Sequence, residues 1–143
     1  MTMSDRTVTP DPLDPTPADG PDAQARKFQR ELSAGLTSLV LLSVLAEATG
    51  DLYGYEIARR LTGDGERASP FKQGALYPVL RNMSAAGLLS SRVVPSYSGP
   101  PRRYYRITAL GHDVLRSWRA TWQETRTFVD SIVQPSTAPE ITS

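Results

Sequence analysis

Lys72, Gln73, Tyr77, Arg81 and Asn82 present hydrogen-bond donors along one face at helical spacing, with no carboxylate among them. Ammonium, guanidinium, carboxamide and phenol groups arranged in this way suit phosphate oxygens and the edges of DNA bases. Arg102 and Arg103, followed by Tyr104, offer a second set that can reach phosphates or a minor groove. Tyr55 lies at the start of a short helix, where a phenol beside the helix N-terminus can hold a phosphate oxygen. Catalysis has much less to draw on. With no cysteine there is neither a thiolate nucleophile nor a thiolate metal site. The single histidine, His112, lacks a partner nucleophile and an oxyanion site. Neither an enzyme, a cofactor nor a metal centre is expected.

The elements that must position these donors follow from periodicity. Leu76, Val79, Leu80 and Met83 fall at i, i+3, i+4 and i+7, predicting a helix that begins near Phe71 or Lys72 and ends at Gly87. Ser69 is placed to cap it, Pro70 suits its first turn, and Pro78 should bend it slightly. A first helix is expected from Arg26 to about Ala48, with Gly50 as a left-handed C-terminal cap. Its second half is apolar around most of its circumference. Residues such as Leu36 and Val40 should therefore pack against a partner subunit as well as the core. Leu52–Leu61 reads as a second, short helix, and Thr62–Pro70 as a loop.

Beyond the donor helix, Leu88–Val94 and Arg102–Ile107 read as two strands joined by a proline-rich turn. Alternation sends one of Tyr104 and Tyr105 inward, so at most one can face DNA. Arg92 and Arg106 read as cross-strand surface charges. Thr108 can cap a last helix running to Val133. Along it, Leu115, Trp118, Trp122, Thr125, Val129 and Ile132 form a heptad-like seam that a second copy could cover. Trp118 and Trp122 can either pack such an interface or stack a flat aromatic ligand.

These elements define a mainly α fold with a small β-hairpin. A winged helix-turn-helix domain spans 26–107 and a C-terminal dimerisation helix spans 108–133. Residues 1–25, with five prolines and five aspartates, read as a disordered acidic arm, and 134–143 as a frayed tail. Charge is distributed unevenly along the chain. Residues 67–112 carry seven basic groups and no acidic one, although the whole chain is only +1. Such a concentration points to a polyanion. The most apolar run, within Leu36–Ala46, is too short to span a bilayer, and no signal peptide is visible. A soluble cytoplasmic protein is expected.

In order and spacing, four stretches resemble the PadR family of transcriptional regulators: LYGYEI (Leu52–Ile57), GALYPVL (Gly74–Leu80), AGLL (Ala86–Leu89) and RRYYRITALG (Arg102–Gly111). The likeness covers Leu36 to Val133, and the single C-terminal helix resembles the short subfamily. It implies a homodimeric repressor that binds an inverted-repeat operator on double-stranded DNA and is released by a small effector. Carried over by position, it implies DNA contacts by Lys72, Gln73, Tyr77 and Arg81, a phosphate contact by Tyr55, and basic wing residues at Arg102 and Arg103. It also implies an aromatic effector stacked on Trp122, with Trp118 beside it. The proline-heavy wing tip (Pro100, Pro101) and the long N-terminal arm depart from the family pattern.

Two other functions fit parts of the chain. A winged helix can serve as a protein–protein adaptor without an operator, but an adaptor has no need of the acid-free stretch from Arg67 to His112. A membrane-surface role needs the basic residues along one amphipathic helix, and here they are divided between a hairpin and a short helix.

Overall fold

Leu76, Leu80 and Met83, the periodic apolar residues of the donor helix, are buried as their spacing requires. In the computed structural model, which describes residues 20–62 and 69–135, that helix is the third of four. The elements in order are α1 (Pro21–Glu47), β1 (Leu52–Tyr53), α2 (Gly54–Thr62), α3 (Gln73–Ala85), β2 (Leu89–Val94), β3 (Arg102–Ile107) and α4 (Ala109–Val133). The strands form an antiparallel sheet in the order β1-β3-β2. The result is a mainly helical winged-helix fold.

Two compact units divide the chain, Met1–Gly35 and Leu36–Ser143. Within the first, α1 begins at Pro21, so residues 21–25 are helical and not part of an extended arm. Pro21 lacks only an amide that a first helical turn leaves unpaired, and the Asp22 carboxylate favours the positive end of the helix. Residues 1–19 of the expected arm, residues 63–68 of the expected loop and residues 136–143 of the expected tail lie outside the described residues.

The second unit contains the core. Leu41, Leu42 and Leu45 of α1 meet Leu52, Ile57, Leu76, Leu80, Leu89, Tyr105 and Leu115 in one cluster. Each fully buried leucine contributes about 1.5–3 kcal/mol of transfer free energy. Leu115, expected in a dimer seam, is only 2% exposed within its own subunit. Trp118 also packs partly against the core. Heptad spacing correctly marks a sticky face, but the winged-helix core itself fills the first half of it. Leu36 and Val40 are half-buried.

Several local expectations are corrected. Leu52 and Tyr53 are not helical; they pair with Tyr105 and Tyr104 of β3, adding a third strand to the expected hairpin. The helix then starts at Gly54, and the Glu56 carboxylate accepts the Tyr53 amide at 3.1 Å, half of a capping box. Gly50 is not left-handed; among the described residues only Gly87 has a positive φ, 85°. α1 instead closes with the Ala48 amide donating to the Leu45 carbonyl at 3.3 Å. Ser69 does not cap α3, whose N-cap is Lys72 without a side-chain bond. The Ser69 hydroxyl is engaged elsewhere, donating to the Leu61 carbonyl at 2.6 Å and accepting from the Phe71 amide at 3.1 Å.

The turn from α3 into β2 is set by Gly87. Its amide donates to the Ser84 carbonyl (3.0 Å), and the Leu88 amide donates to the Met83 carbonyl (2.9 Å). This is a Schellman closure, with Leu88 and Met83 both in the core. Thr108 then ties the far end of the wing to the same turn. Its hydroxyl donates to the Gly87 carbonyl at 2.7 Å and accepts from the Gly111 amide at 3.0 Å, capping α4. A Cβ on Gly111 would overlap the Leu88 carbonyl oxygen and come within 2.7 Å of the Ile107 side chain. An exposed helical Gly→Ala change gains up to about 1 kcal/mol. Gly111→Ala should reverse that sign and cost about 1–3 kcal/mol in urea unfolding, because helix and turn cannot both stay in place. Unchanged or increased stability would contradict this packing.

Candidate nucleic-acid interface

β3 is the central strand, and its alternation distributes the wing chemistry. Tyr105 points into the core and is 4% exposed. Arg103 shares that face and extends beyond the core toward α3, its Nη1 donating to Ser91 Oγ at 3.1 Å. Arg102, Tyr104 and Arg106 take the opposite face. Between α3 and the wing lies an open groove of about 620 Å³, lined by Tyr55, Tyr77, Arg81, Arg102, Arg103 and the wing-tip residues Ser96 to Pro101 except Tyr97. Tyr53, Gly54 and Tyr105 form the rest of its lining, which contains no carboxylate. Burial pushes the Tyr105 phenol upward, against the opposing pull of the Arg103 and Arg81 guanidiniums.

The structure therefore brings Tyr55, Tyr77, Arg81, Arg102 and Arg103 to one groove. Gln73 stands at its α3 edge, its side-chain amide donating to the Tyr77 hydroxyl at 3.2 Å. The Tyr77 ring lies against Gly54, where a Cβ would come within 2.8 Å of it. That close approach accounts for the glycine in LYGYEI. Lys72 and Asn82 are exposed, but neither lines the groove. Tyr104, expected among the donors, does not line the groove. Alternation turns it to the other side of the sheet, against Tyr53 (centroids 5.6 Å apart) and beneath the Arg92 guanidinium (5.1 Å).

Tyr53, the wing-tip serines and Asp51 stand outside the site residues expected from sequence. Tyr53 lines the groove and carries the Arg102 guanidinium 4.7 Å from its ring centroid, a contact typically worth about 0.5–1 kcal/mol at an exposed site. Ser96 and Ser98 add wing-tip hydroxyls. The last of these is Asp51. It lies outside the acid-free stretch, yet its carboxylate accepts Arg92 Nε at 2.8 Å and Arg106 Nε at 2.6 Å. Two of the seven basic groups are thus neutralised by the fold, and those in the groove are left for an anion. Among the described residues, no group of His, Asp or Glu could hold a metal ion, and no helix is long and apolar enough to cross a membrane.

A short helix followed by a second helix, backed by a sheet whose hairpin projects beside the second helix, defines a winged-helix DNA-binding protein. The Transcriptional regulator PadR-like family model matches residues 41–117, and the chain belongs to that family. It is a DNA-binding transcriptional regulator. The transcriptional regulator Rv3488 of Mycobacterium tuberculosis is 36% identical over 102 residues, covering 69% of this chain and 83% of the relative. Among solved structures, a PadR family transcriptional regulator from Eggerthella lenta is 31% identical with a TM-score of 0.68, covering 80% of this chain and 96% of that one. A PadR family regulator from Clostridium difficile is 29% identical with a TM-score of 0.57, covering 70% of this chain and all of its own.

The two arginine bonds, Arg92 first, hold the Asp51 carboxyl below its ordinary 3.8. Its contribution to stability is therefore fully present above that value and is lost as pH falls through the lowered one. Asp51→Asn should be less stable than the wild type at neutral pH, with the gap closing in strong acid. A gap that stays constant from pH 7 to pH 2 in denaturant titrations would show that the carboxylate charge contributes nothing.

Proposed function

We propose that this regulator is a homodimeric repressor that binds an inverted-repeat operator and is released by a small aromatic effector. The observation carrying the reading is the groove itself. Three guanidiniums and three accessible phenols converge on one open concavity whose lining has no carboxylate. In this reading α3 enters the major groove, with Gln73 and Arg81 reading base edges, while Lys72, Tyr55 and Tyr77 meet phosphates. Arg102 and Arg103 hold the adjacent backbone or minor groove from the wing. Such a protein acts in the cytoplasm, where it meets DNA.

An inverted repeat requires two copies related by a twofold axis, with half-sites about 34 Å apart or a multiple of that. Exposed apolar residues near the end of α4 support pairing: Phe128 and Ile132 are each 67% exposed, and Val129 is 43% exposed. An apolar stripe of this kind in water is characteristic of an interaction surface. Trp122, half-exposed one turn beyond Trp118, offers a flat face for an aromatic effector near the same seam.

Three outcomes are expected. Arg102→Ala combined with Arg103→Ala should weaken binding to specific and random duplexes alike and lower the salt slope by about 1–2. Gln73→Ala or Arg81→Ala should relax sequence preference while leaving random-DNA binding largely intact. An unchanged salt slope in the double variant removes the wing from the interface. A protein that selects no sequence from a random DNA pool would instead be an adaptor. In sedimentation, Val129→Glu with Ile132→Glu should convert a dimer to monomers; a variant that stays dimeric contradicts pairing through α4.

A further inference from the structure

A continuous run of charge and ring contacts crosses the sheet on the face away from α3. It begins at Asp51, which holds Arg92 and Arg106. The Arg92 guanidinium lies 5.1 Å from the Tyr104 ring centroid, and the Tyr104 ring lies 5.6 Å from that of Tyr53. Tyr53 in turn carries Arg102 at 4.7 Å and stacks on Tyr55 with centroids 6.1 Å apart and planes at 21°. Strand register makes this possible. Arg92 and Tyr53 are both directly opposite Tyr104, one on each neighbouring strand. Arg102 and Tyr55, where the run ends, both line the groove, as Tyr53 does. Asp51, Arg92, Tyr104 and Arg106 do not.

Resting on the reading of that groove as the DNA interface, we propose that Asp51 and Tyr104 are positioning residues that hold Arg102 and Tyr55 ready for phosphate without touching DNA. An arginine free in solvent must surrender much of its rotamer freedom when it grips a phosphate; one already stacked on a ring surrenders less. Tyr53 supplies that ring for Arg102, and Tyr104 supports Tyr53 from the neighbouring strand. Arg92 covers Tyr104, and Asp51 fixes Arg92. The sign of the Asp51 charge sharpens the argument. As a bare charge, an aspartate on this basic domain repels DNA, so removing it should tighten binding. As a positioning residue, its removal should weaken binding although the protein becomes more positive.

The test compares Tyr104→Ala, Tyr104→Phe and Asp51→Asn with the wild type in duplex binding across a salt series. Roughly two- to tenfold weaker binding is expected for Tyr104→Ala on specific and random DNA alike, the size of one or two exposed cation–π contacts. Tyr104→Phe keeps the ring and should bind as the wild type does. Asp51→Asn should bind more weakly, not more tightly. A second readout needs no DNA: the Arg102 Nε–Hε resonance should be shifted by the Tyr53 ring in the wild type and in Tyr104→Phe. In Tyr104→Ala it should move toward the position of an exposed arginine, with circular dichroism confirming that the variant remains folded. Wild-type affinity in Tyr104→Ala, or tighter binding by Asp51→Asn, would overturn the proposal while leaving the groove reading intact. If the wild type shows no salt-sensitive binding to any duplex, both fall together.

Discussion

The period-two alternation of β3 is the constraint on which the other features depend. Tyr105 must point inward, because its ring completes the core against Leu52 and the α3 leucines. With that residue fixed, Arg103 is sent to the α3 side, and Arg102, Tyr104 and Arg106 to the other. A slip of one residue would place Tyr104 in the core, turn Arg103 away from the groove and strand Tyr105 in solvent, so the hydrophobic term specifies the register strongly. The Gly87–Leu88 turn and the Thr108 cap hold both ends of the hairpin to the same point of the fold. The wing therefore leaves the domain at a defined angle beside α3.

Electrostatics follow from that geometry. The fold sorts the basic residues by the neighbours it brings to them, since Arg92, Arg102 and Arg106 share one sheet face and only Arg102 lines the groove. Arg92 and Arg106 converge on Asp51, and surface pairs of this kind add little stability one by one. Their effect is to hold strand β2, strand β3 and the segment before β1 in one arrangement. Arg81, Arg102 and Arg103 face a groove whose lining has no acid to meet them. A guanidinium with no carboxylate partner among the described residues is available to a polyanion, and three around one concavity give a field that steers such a ligand inward.

Much of this architecture was legible in the sequence wherever a short-range pattern carried the information. The 3.6-residue period of Leu76, Leu80 and Met83, the glycine at 87, the cap at Thr108 and the paired strands each signal over fewer than a dozen residues. The features that were not legible depend on partners far along the chain. β1 is two residues long, too short for any periodicity, and exists only because β3 lies beside it. Asp51 sits 41 residues from Arg92 and 55 from Arg106, so charge counting by segment assigned it to the wrong neighbourhood. Leu115 shows a related limit. Heptad spacing says that a face will be buried, not whether its own core or a second copy will bury it. Of the expected donor residues, Tyr55, Tyr77, Arg81, Arg102 and Arg103 line one groove. Tyr104 lies outside that groove, because alternation says that one of two neighbouring tyrosines faces outward without saying where along the sheet a groove forms.

The most direct test of this account is fluorescence-anisotropy binding of the protein to the intergenic DNA upstream of its own gene, against a scrambled duplex, over a range of salt. The account predicts tight binding with a clear preference for the native fragment, and affinity that falls steeply as salt rises because several phosphate contacts release counterions. Weak binding with little salt dependence on both duplexes would contradict it, since a groove lined by three guanidiniums and no carboxylate would then not be a nucleic-acid site.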